Sequence, residues 1–329
     1  MRRRIHKILV TGGAGFIGSA FVRGLVKRGE CPVVVDSLTY AGDFKRLDEA
    51  KGNFKFYKTD ICDRKAMERI FLKEKPRAIA HFAAETHVDR SIRDATAFIE
   101  TNVSGTHILL DLSKKYQVDR FVHISTDEVY GDIVKGSFRE DFPLLPNSPY
   151  AASKAAGDLL VKSYIHTHGF PALIVRPSNN YGPWQYPEKL IPLSVLKLLR
   201  GEQVPVYGVG ANVREWLFVQ DCAEGIRQIL NKGRVGQVYN LGSGRERPNI
   251  QVVKEILRIM GKGPEDMVFV KDRLGHDIRY SLDSSKIRRQ TGWQPKHGFS
   301  QGLALTVAWC VTNREWLLDK WRHIRYLYK

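Results

Sequence analysis

Cysteine is scarce in this sequence. Among its 329 residues only Cys31, Cys62, Cys222 and Cys310 occur, and no two of them form a CxxC pair. A disulfide framework needs many cysteines in a small chain, and a structural zinc site needs paired ligands. The sequence therefore predicts no disulfides and no metal site, and the reducing cytoplasm fits it as a location.

Long apolar runs are also missing. No stretch approaches the roughly 18 apolar residues of a membrane-spanning helix. The basic opening Met1–Arg4 resembles the start of a signal peptide, but the apolar stretch after it contains His6 and Lys7 and runs into glycines instead of a cleavage site. We therefore expect no membrane partner.

Acidic residues are fewer than basic ones. The chain has 35 Asp and Glu against 52 Lys and Arg, a formal net charge of +17, which favours a negatively charged partner. The basic runs, such as Arg2–Arg4, Lys114–Lys115 and Arg288–Arg289, lack interleaved aromatics and stay below the about five like charges of a nucleic-acid-binding tail. A phosphorylated metabolite is expected as the partner, and no nucleic acid.

Short β-branched runs alternate with amphipathic stretches along the first half of the chain. Strands are predicted at 8–10, 32–35, 54–57, 78–82, 121–124 and 172–175, and helices at 16–28, 64–73, 95–116 and 150–167. Continuously apolar strands that alternate with helices are typical of a parallel sheet covered on both faces. The fold class is therefore α/β, with a Rossmann-type doubly wound parallel sheet.

Prolines and glycines interrupt this rhythm after Pro177. A helix at 221–231 and a strand at 238–241 then resume it. We therefore expect a dinucleotide-binding domain over 1–176, to which the chain returns around 212–240, and a smaller C-terminal substrate-binding domain that takes most of 177–329.

A glycine-rich loop lies between the first strand and the first helix. Gly12, Gly15 and Gly18 match the spacing of a dinucleotide loop, in which the glycines allow a tight turn, close approach to a pyrophosphate and close packing of helix on strand. Asp36 ends the second strand, where a carboxylate accepts ribose hydroxyls and repels a 2′-phosphate, so NAD is favoured over NADP. Asp60, after the third strand, is interpreted either as an adenine contact or as a helix cap.

Two further groups of residues have side chains suited to proton transfer. Tyr150 and Lys154 are one helical turn apart, and a neighbouring ammonium together with a positive nicotinamide ring is expected to lower the pKa of the tyrosine. Thr126, Asp127 and Glu128 follow a strand at the sheet edge where ligands bind. Two adjacent carboxyl groups near a sugar suit one proton donor and one proton acceptor.

The motifs GGAGFIGS, DSLTYAG, HFAAETHVDRS, STDEVYG, YAASK, SNNYGP, YPEKLIP and REW together resemble the nucleotide-sugar branch of the extended short-chain dehydrogenase/reductase family. Within that branch the Thr-Asp-Glu triplet resembles the dTDP-glucose 4,6-dehydratases. The resemblance implies oxidation at C4 with Tyr150 as base, elimination of water across C5 and C6 with Glu128 as base and Asp127 as acid, and return of the hydride to C6. It implies NAD as a cofactor that stays bound, a nucleoside-diphosphate sugar as substrate, dTDP-glucose first among them, and a homodimer formed by two long helices.

The same resemblance assigns binding residues. For NAD they are, with the glycines above, Phe16, Ile17, Asp36, Ser37, Leu38, Thr39, Asp60, Ile61, Phe82, Ala83, Ala84, Glu85, Thr101, Tyr150, Lys154 and Asn180. For the nucleotide sugar they are Thr86, Thr126, Asn179, Lys189, Leu190, Pro205, Val206, Tyr207, Arg214, Asn249, Asp272, Arg273 and His276. Arg214 and Arg273 suit the diphosphate because a guanidinium binds phosphate oxygens in a planar fork.

Three positions depart from the family pattern. Thr86 stands where Ser is usual, Leu274 where Pro is usual, and Asp43 where Asn is usual. These differences bear on the substrate and not on the proton and hydride chemistry. Two other functions remain open: a nucleotide-sugar 4-epimerase, which has no use for Asp127 and Glu128, and a basic adaptor that only binds nucleotides or nucleic acid.

Overall fold

The computed structural model describes residues 7–272 and 276–324. In the first half its elements are β1 (Ile8–Thr11), α1 (Phe16–Val26), β2 (Val33–Asp36), β3 (Lys55–Lys58), α2 (Arg64–Glu74), β4 (Ala78–His81), α3 (Val88–Arg93), α4 (Thr96–Ile99), α5 (Thr106–Lys115), β5 (Arg120–Ile124), α6 (Pro149–His168) and β6 (Ala172–Pro177). In the second half they are β7 (Asn179–Tyr181), α7 (Leu190–Leu199), β8 (Val204–Tyr207), β9 (Val213–Phe218), α8 (Val219–Lys232), β10 (Val238–Leu241), β11 (Glu246–Pro248), α9 (Asn249–Ile259), β12 (Met267–Val270), α10 (Ser285–Thr291), α11 (Phe299–Thr312) and α12 (Arg314–Ile324).

Seven strands of the described chain form one sheet, in the order β10-β6-β5-β4-β1-β2-β3. Every neighbouring pair is parallel. The strand order reverses between β1 and β4, and in such sheets this switch point opens a crevice at the carboxyl ends of the strands. The doubly wound parallel sheet predicted from the sequence is confirmed.

Helices cover both faces of this sheet, which explains why its inner strands are mostly apolar, whereas the edge strand β3 has the sequence KFYK and is partly exposed. On one face Phe21 and Leu25 of α1 pack with Ile226 and Ile229 of α8 in the same core as Val10 of β1. On the other face a separate core joins α2, α5 and α6 to the sheet. Since both faces are buried, β1, β2 and β4 are buried along their full lengths.

A second core lies under the downstream elements. It joins α7, α9, α11 and α12 with the strands β8 and β9. Small sheets, β11-β9-β7 and the parallel pair β12-β8, complete this region. The carboxyl end of β6 therefore leads directly into the region that faces the crevice of the large sheet.

The predicted helix over 95–116 is the main local discrepancy. The structure has α4 and α5 joined by a π-helical segment, Glu100–Gly105. Within it, Asn102 accepts the backbone N–H of Glu85 at 2.9 Å and donates to the hydroxyl of Ser153 at 2.8 Å. The wider turn aims this side chain at the crevice, which is a tertiary effect that apolar periodicity does not show. Elsewhere the elements end within one or two residues of prediction, as at α1, where Lys27 is the C-cap.

Candidate active site

A cavity of about 470 Å³ opens at the carboxyl ends of the strands. The predicted residues that line it are Gly12, Gly15, Phe16, Ile17, Gly18, Asp36, Ser37, Thr39, Asp60, Ile61, Phe82, Ala83, Ala84, Glu85, Thr86, Thr101, Thr126, Asp127, Glu128, Tyr150, Lys154, Asn179, Asn180, Lys189, Leu190, Pro205, Val206, Tyr207, Arg214, Asn249 and His276. Leu38 and Asp272 lie beside the wall without lining it, and Arg273 lies outside the described residues. The structure thus brings nearly all the predicted positions to one place.

The glycine-rich loop has no room for side chains. Gly12 has a φ of +68°, and a Cβ there would lie 2.4 Å from the backbone nitrogen of Ala83. A Cβ on Gly18 would lie 2.2 Å from the carbonyl oxygen of Gly12. Gly15 is the N-cap of α1 and offers no side-chain cap, so the first backbone N–H groups of the helix face the cavity edge. A dinucleotide pyrophosphate fits this cradle.

Asp36 is held in place at the end of β2. Its two oxygens accept backbone N–H groups from Ala14 at 2.9 Å and Leu38 at 2.8 Å. Burial raises the pKa of Asp36, and the backbone donors only partly oppose that shift. Each carboxylate oxygen keeps a further lone pair, so the group fits two ribose hydroxyls.

Asp60 lines the cavity and is not the cap of a helix. Its carboxylate accepts the backbone N–H of Cys62 at 2.8 Å, whereas Asp63 caps α2. Of the two interpretations of Asp60, the structure excludes the N-cap of α2. Its position in the wall is compatible with an adenine contact.

Tyr150 and Lys154 lie in the first two turns of α6, both buried. The ammonium of Lys154 donates to the carbonyl oxygen of Ile124 at 2.7 Å, and burial lowers the pKa of this lysine to about 8. Burial raises the pKa of Tyr150, and the charge of Glu128 adds to it, while a hydrogen bond with Thr126 opposes it. In the protein without NAD, burial outweighs the hydrogen bond from Thr126, so the expected lowering of the Tyr150 pKa stays a prediction for the site with the positive nicotinamide ring beside Lys154.

The triplet Thr126, Asp127 and Glu128 follows β5 at a short 3₁₀ turn, Asp127–Tyr130. The hydroxyl of Thr126 caps this turn by accepting the backbone N–H of Glu128 at 3.3 Å. Asp127 is 2% exposed, and its Oδ2 has no hydrogen-bond partner among the described residues. Burial and the neighbouring Glu128 raise the pKa of Asp127 well above its ordinary value, which favours the protonated form of this carboxyl.

Arg214 is the buried cation of the opposite wall. Its guanidinium donates to the carbonyl oxygens of Val213 and Asp277, both at 2.8 Å, and stacks 4.5 Å from the centre of the Tyr280 ring. His276 lines the cavity and hydrogen-bonds Asp272 at 2.7 Å, so Asp272 contacts the wall without reaching the cavity surface. These contacts fix the segment around 276–280 against β9.

Buried polar atoms without a hydrogen-bond partner in the described chain are concentrated in this cavity. They belong to Ser125, Asp127, Ser178, Asn179, Asn180, Gln185, Tyr186, Trp216 and Asn249. Leaving a buried polar group unpaired costs about 1–3 kcal/mol. The wall therefore suits a polar ligand, whose own donors and acceptors would pair with these groups.

Sequence reasoning missed several wall residues, among them Arg46, Gln185 and Glu188. Arg46 is 1% exposed although it lies in the polar stretch FKRLDEA, a pattern typical of a solvated face. Glu188 accepts a hydrogen bond from the hydroxyl of Tyr40 at 3.3 Å, and burial raises its pKa. Glu188 lies within the motif YPEKLIP, which is the signal that could have found it.

Two other kinds of site are missing from residues 7–272 and 276–324. No three or more His, Cys, Asp or Glu side chains are grouped there as metal ligands. No helix in this part of the chain combines the length and apolar character needed to cross a bilayer.

Known proteins resemble this chain over almost all of its length. The family model described as GDP-mannose 4,6 dehydratase matches residues 9–306. A dTDP-glucose 4,6-dehydratase of Streptomyces niveus is 48% identical over 94% of both chains. The solved structure of DesIV, a dTDP-glucose 4,6-dehydratase of Streptomyces venezuelae with NAD bound, has a TM-score of 0.93 at 48% identity and covers 95% of this chain and 99% of that one.

An epimerase is also similar, at a greater distance. The UDP-glucose 4-epimerase of Thermus thermophilus, solved with NAD, has a TM-score of 0.87 at 31% identity and covers 93% of this chain and 99% of that one. The dehydratases are closer in both sequence and structure. The chain belongs to the 4,6-dehydratase family, and within it to the dTDP-glucose 4,6-dehydratases.

Proposed function

We propose that the protein is a hydro-lyase that dehydrates a nucleoside-diphosphate glucose, dTDP-glucose first among them, to the 4-keto-6-deoxy sugar nucleotide. One observation carries this proposal. The acidic pair Asp127 and Glu128 lies in the same cavity as Tyr150 and the glycine-rich loop. An enzyme that only inverts C4 needs no such pair, whereas elimination of water needs an acid and a base side by side.

NAD is the cofactor of this proposal. Gly12, Gly15 and Gly18 would hold its pyrophosphate, Asp36 its adenosine ribose, and Lys154 its nicotinamide ribose. When bound, NAD supplies the acceptor for the hydride of C4 and the source of the hydride that ends at C6. Because the same molecule serves both transfers, it stays in the site through each turnover.

Tyr150 removes the proton of the sugar 4-hydroxyl. Its pKa is raised in the protein alone, so a positive charge must oppose the burial, and the oxidised nicotinamide ring carries one. Thr126 lies within hydrogen-bond reach of the tyrosine hydroxyl and is placed to steady the 4-keto oxygen. Lys154, anchored on Ile124, keeps its ammonium beside this pair.

Asp127 and Glu128 carry out the elimination. The 4-ketone acidifies the proton at C5, and Glu128 removes it. Asp127, whose raised pKa keeps it protonated, donates its proton to the departing 6-hydroxyl, which leaves as water. Glu128 then returns its proton to C5 as C6 is reduced. The proton that Tyr150 took from the 4-hydroxyl replaces, by way of solvent, the one that Asp127 gave to the departing water, so the product and one water together balance the substrate and both side chains regain their starting forms.

The rest of the wall binds the nucleotide sugar in this proposal. Arg214 keeps further N–H donors beyond its three backbone contacts and suits the diphosphate. Asn179 and Asn249 each present a buried side-chain oxygen without a partner in the described chain. Both lie in the wall with Lys189 and Tyr207, so they fit the polar edges of a sugar and a base.

These positions indicate which part of the chain binds which ligand. We assign the NAD-binding domain to 1–176, to which the chain returns around 212–240, and most of the sugar-nucleotide contacts to 177–329. We also propose a homodimer through the helices around 95–116 and α6, whose exposed Ile99 and Leu159 favour apolar contact. Free cysteines at all four positions support the cytoplasm as the compartment.

The proposal is tested by incubating the purified protein with a panel of nucleoside-diphosphate glucoses. The expected product has lost one water and carries a 4-ketone, and dTDP-glucose is expected to give the highest kcat/KM. Mass spectrometry and the absorbance of the ketone in base detect it. Formation of the galactose isomer at unchanged mass would instead establish a 4-epimerase.

Glu128→Gln tests the assignment of the base. This variant is expected to oxidise C4 and accumulate NADH absorbance, while water loss falls by about a thousandfold because the amide cannot take the C5 proton. Glu265→Gln is the matched control, since Glu265 is exposed and outside the cavity wall. Elimination at the wild-type rate in Glu128→Gln would overturn the role of Glu128.

A further inference from the structure

Asp43 joins three parts of the molecule. Its Oδ1 accepts the backbone N–H of Lys45 at 2.9 Å, which starts the 3₁₀ turn Phe44–Ala50. Its Oδ2 accepts the indole N–H of Trp316 at 2.7 Å and lies 2.9 Å from the ammonium of Lys320. Both partners belong to α12, 273 residues further along for the tryptophan. This is the position where the family pattern has Asn.

The segment that Asp43 anchors forms a wall of the NAD half of the cavity. Ala41, Gly42 and Arg46 line the cavity. The backbone N–H of Asp43 donates to the carbonyl oxygen of Ala14, inside the glycine-rich loop, at 3.1 Å. Arg46 donates to the same carbonyl at 3.0 Å. Movement of this segment would therefore disturb the loop that cradles the pyrophosphate.

Arg46 extends the connection to the downstream region. Its Nε donates to the carbonyl oxygen of Trp184 at 3.1 Å, and its guanidinium lies 5.4 Å from the ring centre of Trp316. Trp184 and Trp316 meet edge to face with centroids 5.4 Å apart. The tryptophan of α12 thus contacts both the carboxylate of Asp43 and the arginine three residues later.

The charges in this contact are largely removed from water. Side-chain exposure is 9% for Asp43 and 18% for Lys320. Burial pushes the pKa of Asp43 upward, but the hydrogen bonds from Lys320 and Trp316 outweigh it and leave the pKa below its ordinary value. The carboxylate is therefore charged in the folded protein and depends on its α12 partners.

We propose that α12 is a clasp that retains NAD, with Asp43, Trp316 and Lys320 as its positioning residues. The clasp holds the segment 41–46 against the glycine-rich loop, from a helix that contributes no residue of its own to the cavity wall among the described residues. Retention suits a cofactor that is reduced and regenerated within each turnover. The inference rests on the proposed placement of NAD in this half of the cavity.

The test measures how long the full-length protein keeps its NAD. Protein loaded with NAD is freed of excess nucleotide, and the bound fraction is followed over time for Trp316→Phe, for Lys320→Met and for Lys320→Met combined with Asp43→Asn. Trp316→Phe removes the indole N–H and keeps an aromatic ring, and Lys320→Met removes the charge and keeps a long apolar chain. Arg322→Met is the matched control, because Arg322 is an exposed cation of the same helix.

Release of NAD is expected to be on the order of tenfold faster in Trp316→Phe and in Lys320→Met, since each weakens a hydrogen bond to a buried charge. Asp43→Asn combined with Lys320→Met should release NAD more slowly than Lys320→Met alone, because no carboxylate is then left without its cation. Arg322→Met should match the wild type.

A purely structural role would lower Tm equally with and without added NAD, whereas the clasp predicts a smaller rise in Tm on adding NAD.

Two results would overturn the inference. Release rates equal to that of Arg322→Met in both α12 variants, with wild-type protein that holds NAD, would refute the clasp and leave the proposed function intact. Wild-type protein that holds no NAD at all would refute the proposed function, and the clasp with it.

Discussion

The two halves of the cavity are built in different ways. The half that we propose for NAD comes from short contiguous pieces, the loop from Gly12 to Gly18, the turn after β2 and the segment 82–85 after β4. The half that we propose for the sugar nucleotide takes single side chains from β7, α7, β8, β9, α9 and the segment around His276. A half made by backbone at the ends of neighbouring strands tolerates little change, whereas a half made by dispersed side chains can be altered one contact at a time.

Gly12→Ala should break the contiguous half and have the largest effect. The added Cβ would lie 2.4 Å from backbone of Ala83, at a φ of +68° that alanine rarely adopts. We expect loss of bound NAD and a fall in kcat/KM of at least about a thousandfold, or roughly 4 kcal/mol.

Gly24→Ala is the matched control, in the same helix-loop unit. A Cβ at Gly24 meets no atom within 4 Å, so this change should leave NAD binding intact and stabilise α1 by up to about 1 kcal/mol. Retained NAD in Gly12→Ala, measured by absorbance of the purified protein, would show that the two halves do not differ as described.

The burial of Lys154 in the cavity wall can be tested by varying the pH. Lys154 has a pKa lowered to about 8 in the folded protein, from an ordinary 10.5. Between these values the unfolded chain binds more protons than the folded one, so the free energy of unfolding rises with pH in this window, by up to roughly 3 kcal/mol from this group. Below pH 8 the side chain of Lys154 stays charged in the folded protein, so removing its ammonium from water lowers the free energy of unfolding by the full desolvation cost.

Urea unfolding of wild type and Lys154→Met from pH 7 to pH 10 isolates this contribution, because other titrating groups are common to both. The difference between the two free energies should stay level below the lowered pKa of about 8 and then change steadily, in favour of the wild type, up to pH 10. Parallel pH profiles for the two proteins would show that Lys154 is not desolvated.

Arg214→Lys should weaken the dispersed half alone and have the smallest effect. Lysine keeps the charge but loses the planar fork and the stacking on Tyr280. We expect KM for the nucleotide sugar to rise about 10- to 100-fold, with the rate of NAD release unchanged. The exposed Arg289→Lys serves as control, and faster NAD release in Arg214→Lys would show that the halves are coupled there.

The difference between contiguous and dispersed contacts also explains which features the sequence could predict and which it could not. The sheet, the glycine-rich loop and the Tyr150–Lys154 pair depend on neighbours within a few residues, so their spacing carries the information. Arg46 could not be found in this way, because its burial depends on Trp184 and Trp316, far away along the chain. The upward effect of burial on the pKa of Tyr150 could not be predicted from the sequence either, because burial is set by the whole fold and not by neighbours within the helix.

The edge strand β10 has a consequence for how the chain is made. It pairs with β6 in the seven-stranded sheet, yet β6 ends at Pro177 and β10 begins only at Val238. During synthesis β6 therefore leaves the ribosome well before its neighbour exists, with one row of backbone donors and acceptors unpaired. The nucleotide-binding sheet becomes complete only after most of the catalytic wall has been translated. A nascent chain stopped at Pro177 would therefore expose the unpaired edge of β6, to which strands of other chains could bind.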